Sequence, residues 1–328
     1  MHEQGGPVLS TRRPAWARLL VARGAQAVAV ALAVGTACFL IARALPGDLA
    51  MRIAASRYGY DLVGTAAAEA VRAELGLDGP ALPALLRWFG DLASFGLGRS
   101  LVTGEPVWDE VAHQLGATLR LSAAAVAIGV SLGAPLGVRA GLRPGGWADR
   151  STLVLAAALR AMPPFLLAVL LMMVASVWLG ALPAAGEHDG GLLLPAATLG
   201  LGLAAGLARV VRTAVRAALA SPSHEFLRTC GLTDAQALRH HVLRHAAVPV
   251  LAWLGVQTVF LVEGAVVVET LFAWPGIGHA LVHAVFGRDV PMIQGTALCM
   301  GLLFVVFNFA IDSACLWADP RRRTGSPP

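Results

Sequence analysis

Six long apolar stretches constrain this chain more than any other feature. They occupy roughly residues 25–41, 118–138, 152–179, 192–211, 248–268 and 292–316. A helix needs about 20 mostly apolar residues to cross a bilayer, and each stretch is close to that length. Composition agrees. Hydrophobic residues make up 57% of the chain and charged residues only 14%, with a mean hydropathy of +0.68, whereas a soluble domain is about a quarter charged. The expected fold class is all-α: a polytopic membrane protein with six transmembrane helices.

Orientation follows from the basic residues of the short loops, which concentrate on the cytoplasmic side. Arg12, Arg13, Arg18 and Arg23 precede the first stretch; Arg139, Arg143 and Arg150 lie between the second and third. Arg212, Arg216, Arg228, Arg239 and Arg244 lie between the fourth and fifth, and Arg321, Arg322 and Arg323 follow the sixth. The loop 181–191 has no Arg and carries Glu187 and Asp189; 270–291 has only Arg288. Six crossings with both termini cytoplasmic satisfy every loop. The net charge of +5 is thus a matter of location and carries no nucleic-acid signal. The first stretch is longer than a signal-peptide core and is expected to stay as an anchor.

The chain divides accordingly. Residues 1–111 hold the N-terminus, the first span and a long outer segment, 43–111. Residues 112–320 hold the other five spans and a cytoplasmic loop, 212–247; 321–328 form a tail. In the outer segment Leu82, Leu85, Leu86, Trp88 and Phe89 predict a short amphipathic helix packed on the bundle. Pro163-Pro164 breaks the backbone ladder of the third span, and Gly202 and Gly206 offer a small face for close helix packing.

All 25 basic residues are Arg. A phosphate-binding P-loop needs a Lys to reach the phosphates, so any ATP that drives this chain is hydrolysed elsewhere. None of Cys38, Cys230, Cys299 and Cys315 falls in an outer segment, so no disulfide framework is implied. His279 and His283 share a helical face at metal-ligating spacing, but further ligands are not evident and no metal is expected.

The polar stretch 221–245 needs an aqueous reason to exist. Within it Glu225-Phe226-Leu227-Arg228 is followed by Gly231, a short helix closed by a residue suited to the left-handed conformation. The chain resembles the permease subunits of binding-protein-dependent ABC importers, in the dipeptide, oligopeptide and nickel branch. The resemblance runs from about Arg18 to Arg321. It is carried by Leu97-Gly98-Arg99-Ser100 through Pro106-Val107, Trp178 through Leu182-Pro183, and Glu269-Thr270-Leu271-Phe272 through Trp274-Pro275-Gly276-Ile277-Gly278. Arg288-Asp289, Pro291, Gln294-Gly295, and Asn308 through Asp312 continue it.

The resemblance implies a type I-like ABC permease fold in a bacterial inner membrane. It also implies a second permease subunit, two ATP-binding subunits that hold ATP and Mg, and a periplasmic solute-binding protein. No cofactor and no catalytic residue belong to this chain. Glu225, Phe226, Leu227, Arg228 and Gly231 would then form a coupling helix that docks into the ATPase. Phe226 and Leu227 replace two alanines of the family pattern and imply a reshaped groove.

Candidate pathway residues are Glu263 and Gln257 in the fifth span and Asn308 and Asp312 in the sixth. Glu263 could meet substrate or pair at a subunit interface; Asn308 and Asp312, four apart on one face, could line the path or bond between helices. Glu269, Trp274, Pro275, Gly276 and Gly278 form an outer turn on the binding-protein side, with Glu269 as its cap. The competing class is an autonomous, ion-gradient-driven transporter with Glu263 as carrier.

Overall fold

The computed structural model describes residues 15–44, 47–59, 64–75, 80–94, 96–184 and 191–318. The fold is all-helical; among the described residues no strand forms, and one isolated bridge pairs Arg99 with Pro106. Four helices are long and apolar enough to cross a bilayer: α1 (Ala15–Ala44), α5 (Val107–Leu142), α8 (Leu193–Leu219) and α13 (Val290–Ala318). They carry the first, second, fourth and sixth expected spans. The fifth, 248–268, lies in a 29-residue helix, α11 (Leu243–Leu271).

The third stretch is not one helix. It divides into α6 (Trp147–Ala161) and α7 (Pro164–Met172), the latter running on into a π-helical turn, Met173–Trp178. The two helices are bent by 105° across Met162 and Pro163. Consecutive prolines explain the break: neither has an N–H to donate, and Pro164 disfavours helical backbone at Pro163, whose ψ is 145°. Counted as one, this pair brings the apolar spans among the described residues to five.

The outer segment holds more helix than the single one expected. α2 (Leu49–Tyr58) and α3 (Thr65–Leu75) pack around Ile53 and Val71, both buried. Asp48 accepts from Ala50 N at 2.9 Å to cap α2 and pairs with Arg72 of α3 at 2.6 Å. The expected amphipathic helix is α4 (Ala81–Ala93). It buries Trp88 over Gly35 of α1, where a Cβ would overlap the indole, and leaves Leu82 and Leu86 exposed.

The closest packing in the bundle joins α5 to α8. Gly129, Gly133, Gly137 and Gly141 recur every fourth residue along one face of α5. A Cβ on Gly133 or Gly137 would lie 2.6 Å from the carbonyl oxygen of Ala204 or Ala208. Backbone meets backbone, the arrangement that stabilises helix pairs in lipid through dispersion rather than hydrophobic transfer. The seam on α8 is Gly200, Ala204 and Ala208. Of the pair expected from sequence to offer a close-packing face, Gly206 packs closely on Trp253 of α11, and Gly202 has no neighbour within 4 Å. Gly202 is two residues from Gly200, roughly half a helical turn away, so it looks off the seam.

Candidate functional site

The cytoplasmic ends of α8 and α11 are joined by a separately built helix, α9 (Pro222–Thr229). Its start is specified twice. Ser221 Oγ accepts from His224 N at 3.3 Å, and Pro222 occupies the first turn, where its missing N–H costs nothing. Its end is a left-handed closure. Gly231 has φ +87°, its N–H donates to Arg228 O at 3.0 Å, and Leu232 N donates to Leu227 O at 3.3 Å. Thr233 and Gln236 then form a capping box that begins α10 (Asp234–Ala237), which passes through a π-helical turn, Leu238–Val242, into α11.

No residue of α9 is buried. Glu225 and Arg228 are exposed and Phe226 is 67% exposed, while Leu227 is half-buried. Of the two large residues in the alanine positions, only Phe226 is therefore presented outward. Arg228 lies 3.6 Å from Asp234, both largely in solvent, a pair worth little. Behind the helix, Val211, Val215 and Ala218 of α8 pack against Val242 and Ala246. His241 stacks on His245, with ring centroids 4.4 Å apart. Burial, then the neighbouring His245 and His224, hold His241 below the usual imidazole pKa.

At the opposite end Glu269 is fully buried. Its carboxylate accepts from Thr118 Oγ1 at 2.6 Å, Gly278 N at 2.8 Å and His279 N at 3.4 Å. Its carbonyl accepts from Trp274 N at 2.8 Å, and Trp274 Nε1 donates to Ala117 O at 3.1 Å. Thr118 Oγ1 also accepts from Ile277 N at 2.8 Å. The turn that leads into α12 (Ile277–Gly287) is therefore wound around one carboxylate and one hydroxyl. Gly276 and Gly278 leave room for that carboxylate, because a Cβ on Gly276 would overlap it. Pro275 is half-buried on the rim of an outer cavity of about 540 Å³ shared with Glu110, His113, His279 and His283. Among the described residues no group of three or more His, Cys, Asp or Glu is placed to hold a metal ion.

Segments far apart in sequence meet beside this turn. Asp289 is buried and accepts from Ser100 Oγ, from Leu101 N at 3.1 Å and from Val102 N at 3.4 Å. Gln294 Nε2 donates to Gly35 O at 3.1 Å. The segment 97–107 is thereby bound to 288–294, and the two were separate pieces of the resemblance.

Of the expected pathway residues, Gln257, Asn308 and Asp312 have separate surroundings. Gln257 lines a cavity of about 760 Å³ between α5, α8, α11 and α13, with Leu119, Val126, Leu203, Phe307 and Ile311. Asn308 instead donates from Nδ2 to Phe304 O of its own helix at 2.8 Å. Asp312 pairs with Arg23 of α1, whose Nε lies at 3.2 Å. That contact bonds helix to helix, one of the two alternatives open from sequence. Glu263 is in α11, and its side chain lies outside those described.

Sequence reasoning missed one cluster. Asp149, on the first turn of α6, accepts from Gly145 N at 2.9 Å and from Arg212 Nη2 at 2.8 Å, with Arg209 Nη1 at 3.3 Å. The Arg212 guanidinium, then the Gly145 N–H, hold its carboxyl well below the usual carboxylate range. The only signal was an Asp followed 60 and 63 residues later by Arg, too distant for any local rule.

Comparison with known proteins gives this geometry a family. Residues 133–324 match the model of the family described as "Binding-protein-dependent transport system inner membrane component". The chain belongs to this family. A relative in Brucella abortus (strain 2308), named for a peptide transport system permease, is 36% identical over 314 residues, covering 93% of this permease and 98% of the relative. The glutathione transport system permease protein GsiC of Escherichia coli (strain K12) is 34% identical over 278 residues, 84% of this chain and 88% of that one. GsiC of Pectobacterium atrosepticum is 36% identical over 286 residues, 87% and 92%. Among solved structures, inward-facing MetNI, a methionine ABC transporter, superposes with a TM-score of 0.52 at 20% identity, over 64% of this permease and 96% of that chain. That likeness concerns the fold.

Proposed function

We propose that this permease moves peptides or related small solutes, glutathione among them, inward across a bacterial inner membrane. It works by alternating access, as one of two permease subunits driven by two separate ATPases and supplied by a periplasmic binding protein. The observation that carries the reading is α9: a helix closed at both ends, with nothing buried and Phe226 facing out. A helix so thoroughly capped yet with no side chain buried is a handle for another protein. The relatives' names support the substrate class. The Lys-free sequence requires the motor to lie on another chain.

In this reading α11 is the fifth of six crossings, both termini are cytoplasmic, and 212–247 faces the ATPase. ATP-driven closure moves α9, and the packed base formed with Val242 and Ala246 tilts α8 and α11 together. The Glu269 turn and the outer helices α2 to α4 meet the binding protein. Gly231→Pro tests the reading in the reconstituted complex. Proline cannot adopt φ +87° and removes the N–H that bonds Arg228 O. Substrate-stimulated ATP hydrolysis is expected to vanish while the subunits still co-purify; unchanged stimulation refutes the coupling role.

A further inference from the structure

The broken third span carries a charge that nothing above uses. Arg160 stands on the last turn of α6, two residues before the break. Its depth follows from packing. α6 runs beside α8, bound near the cytoplasmic end by Asp149 to Arg212. At the other end Leu159 and Met162 share a small cavity with Leu199 and Gly202 of α8 and Gln257 of α11. Gln257 is 14 residues from either end of α11 (257 − 243 and 271 − 257), or about 21 Å at 1.5 Å per residue. Arg160 is therefore level with the middle of the helical layer.

At that depth its side chain is exposed, and exposed residues near it in sequence include Val154, Phe165 and Leu166. It makes no ion pair or hydrogen bond with another described residue. An unpaired guanidinium in hydrocarbon at mid-bilayer is costly, which is why such groups face a water-filled cavity or a partner. We propose that Arg160 faces the translocation cavity between the two permeases and holds the carboxylate of a passing peptide. The planar guanidinium matches a carboxylate with two parallel hydrogen bonds. A site made by one side chain, with the rest of its turn apolar, holds the anion firmly enough to admit it and loosely enough to release it. The inference rests on the peptide-permease reading above.

The test uses the complete complex in vesicles with its binding protein, and two readouts. In a cysteine-free background, Arg160→Cys is expected to react with an anionic, water-soluble thiol reagent in at least one nucleotide state, more slowly when peptide is present. No reaction in any state places the residue in lipid or sealed protein and overturns the proposal. Uptake is then compared for peptides with a free C-terminal carboxylate and their C-terminal amides, each saturating the binding protein. Arg160→Gln is expected to cut uptake of the free acids about tenfold or more and to spare the amides, with Arg160→Lys largely restoring the acids. Unchanged uptake, equal loss for both peptide forms, or loss of the co-purifying second permease overturns the proposal. The last two outcomes assign Arg160 to an ion pair between subunits. A wild-type complex that takes up neither form in the presence of ATP refutes the permease reading itself.

Discussion

Gly276→Ala is the sharpest perturbation the outer turn offers. Gly276 has φ −93°, a conformation any residue adopts, so the substitution meets no backbone objection. The nearest obstacle is the buried carboxylate of Glu269, which a Cβ would overlap. To make room the carboxylate must leave Thr118 Oγ1 at 2.6 Å and Gly278 N at 2.8 Å. Each hydrogen bond to a charged group contributes about 1.5–3 kcal/mol. Reduced freedom of the unfolded chain offsets roughly 0.4–1 kcal/mol of the loss. The net destabilisation is then about 2–5.5 kcal/mol, its upper part beyond the usual range for a single substitution. On the scale of a large domain this lowers the melting temperature by roughly 4–22 °C. The assay is thermal unfolding in detergent for wild type, Gly276→Ala, Glu269→Ala and the double variant. If the carboxylate is the obstacle, Gly276→Ala adds little once Glu269 is gone, because the space it needs is vacant. Fully additive losses would refute the reasoning, as would a Gly276→Ala protein that melts with wild type.

Two further substitutions bear on the bundle. Gly137→Ala sets a Cβ 2.6 Å from the Ala208 carbonyl, which belongs to backbone and cannot swing aside; a loss of about 1–3 kcal/mol is expected, read as lower thermal stability and faster proteolysis. Gly202→Ala has nothing within 4 Å and is expected to leave stability unchanged or raise it by about 0.5–1 kcal/mol. Asp149→Asn is expected to lower the melting temperature at pH 7. Its carboxyl is held below its unfolded value, so its contribution is complete above the ordinary carboxylate pKa of about 3.9 and disappears as pH falls through the depressed range. The gap between wild type and variant should therefore be constant from pH 7 to near 4 and close only below that, as followed by melting curves across pH.

What could be read from the chain was whatever local chemistry dictates. Apolar length placed the helices, two prolines placed the break, and Ser221, Pro222 and Gly231 marked the ends of α9, because caps act within a few residues of where they stand. The 105° bend was not legible, because an angle depends on what α6 and α7 each pack against. Asp149 with Arg209 and Arg212 depends likewise on the antiparallel register of α6 and α8. The glycine seam is a different case. Gly129, Gly133, Gly137 and Gly141 stand in the sequence at a strict period of four, yet attention to α8 alone picked out Gly202 and Gly206. Small residues mark a seam only when both helices carry them on facing stripes, so the longer run on α5 was the stronger signal. The same logic separates the polar residues of the spans. Gln294 and Asp312 bond across to other helices, to Gly35 and Arg23, and so hold the bundle together, while Asn308 bonds Phe304 of its own helix. Arg160, exposed at mid-depth, has no such partner among the described residues, and that distinction needed the packed structure because the sequence shows only that each is polar in an apolar stretch.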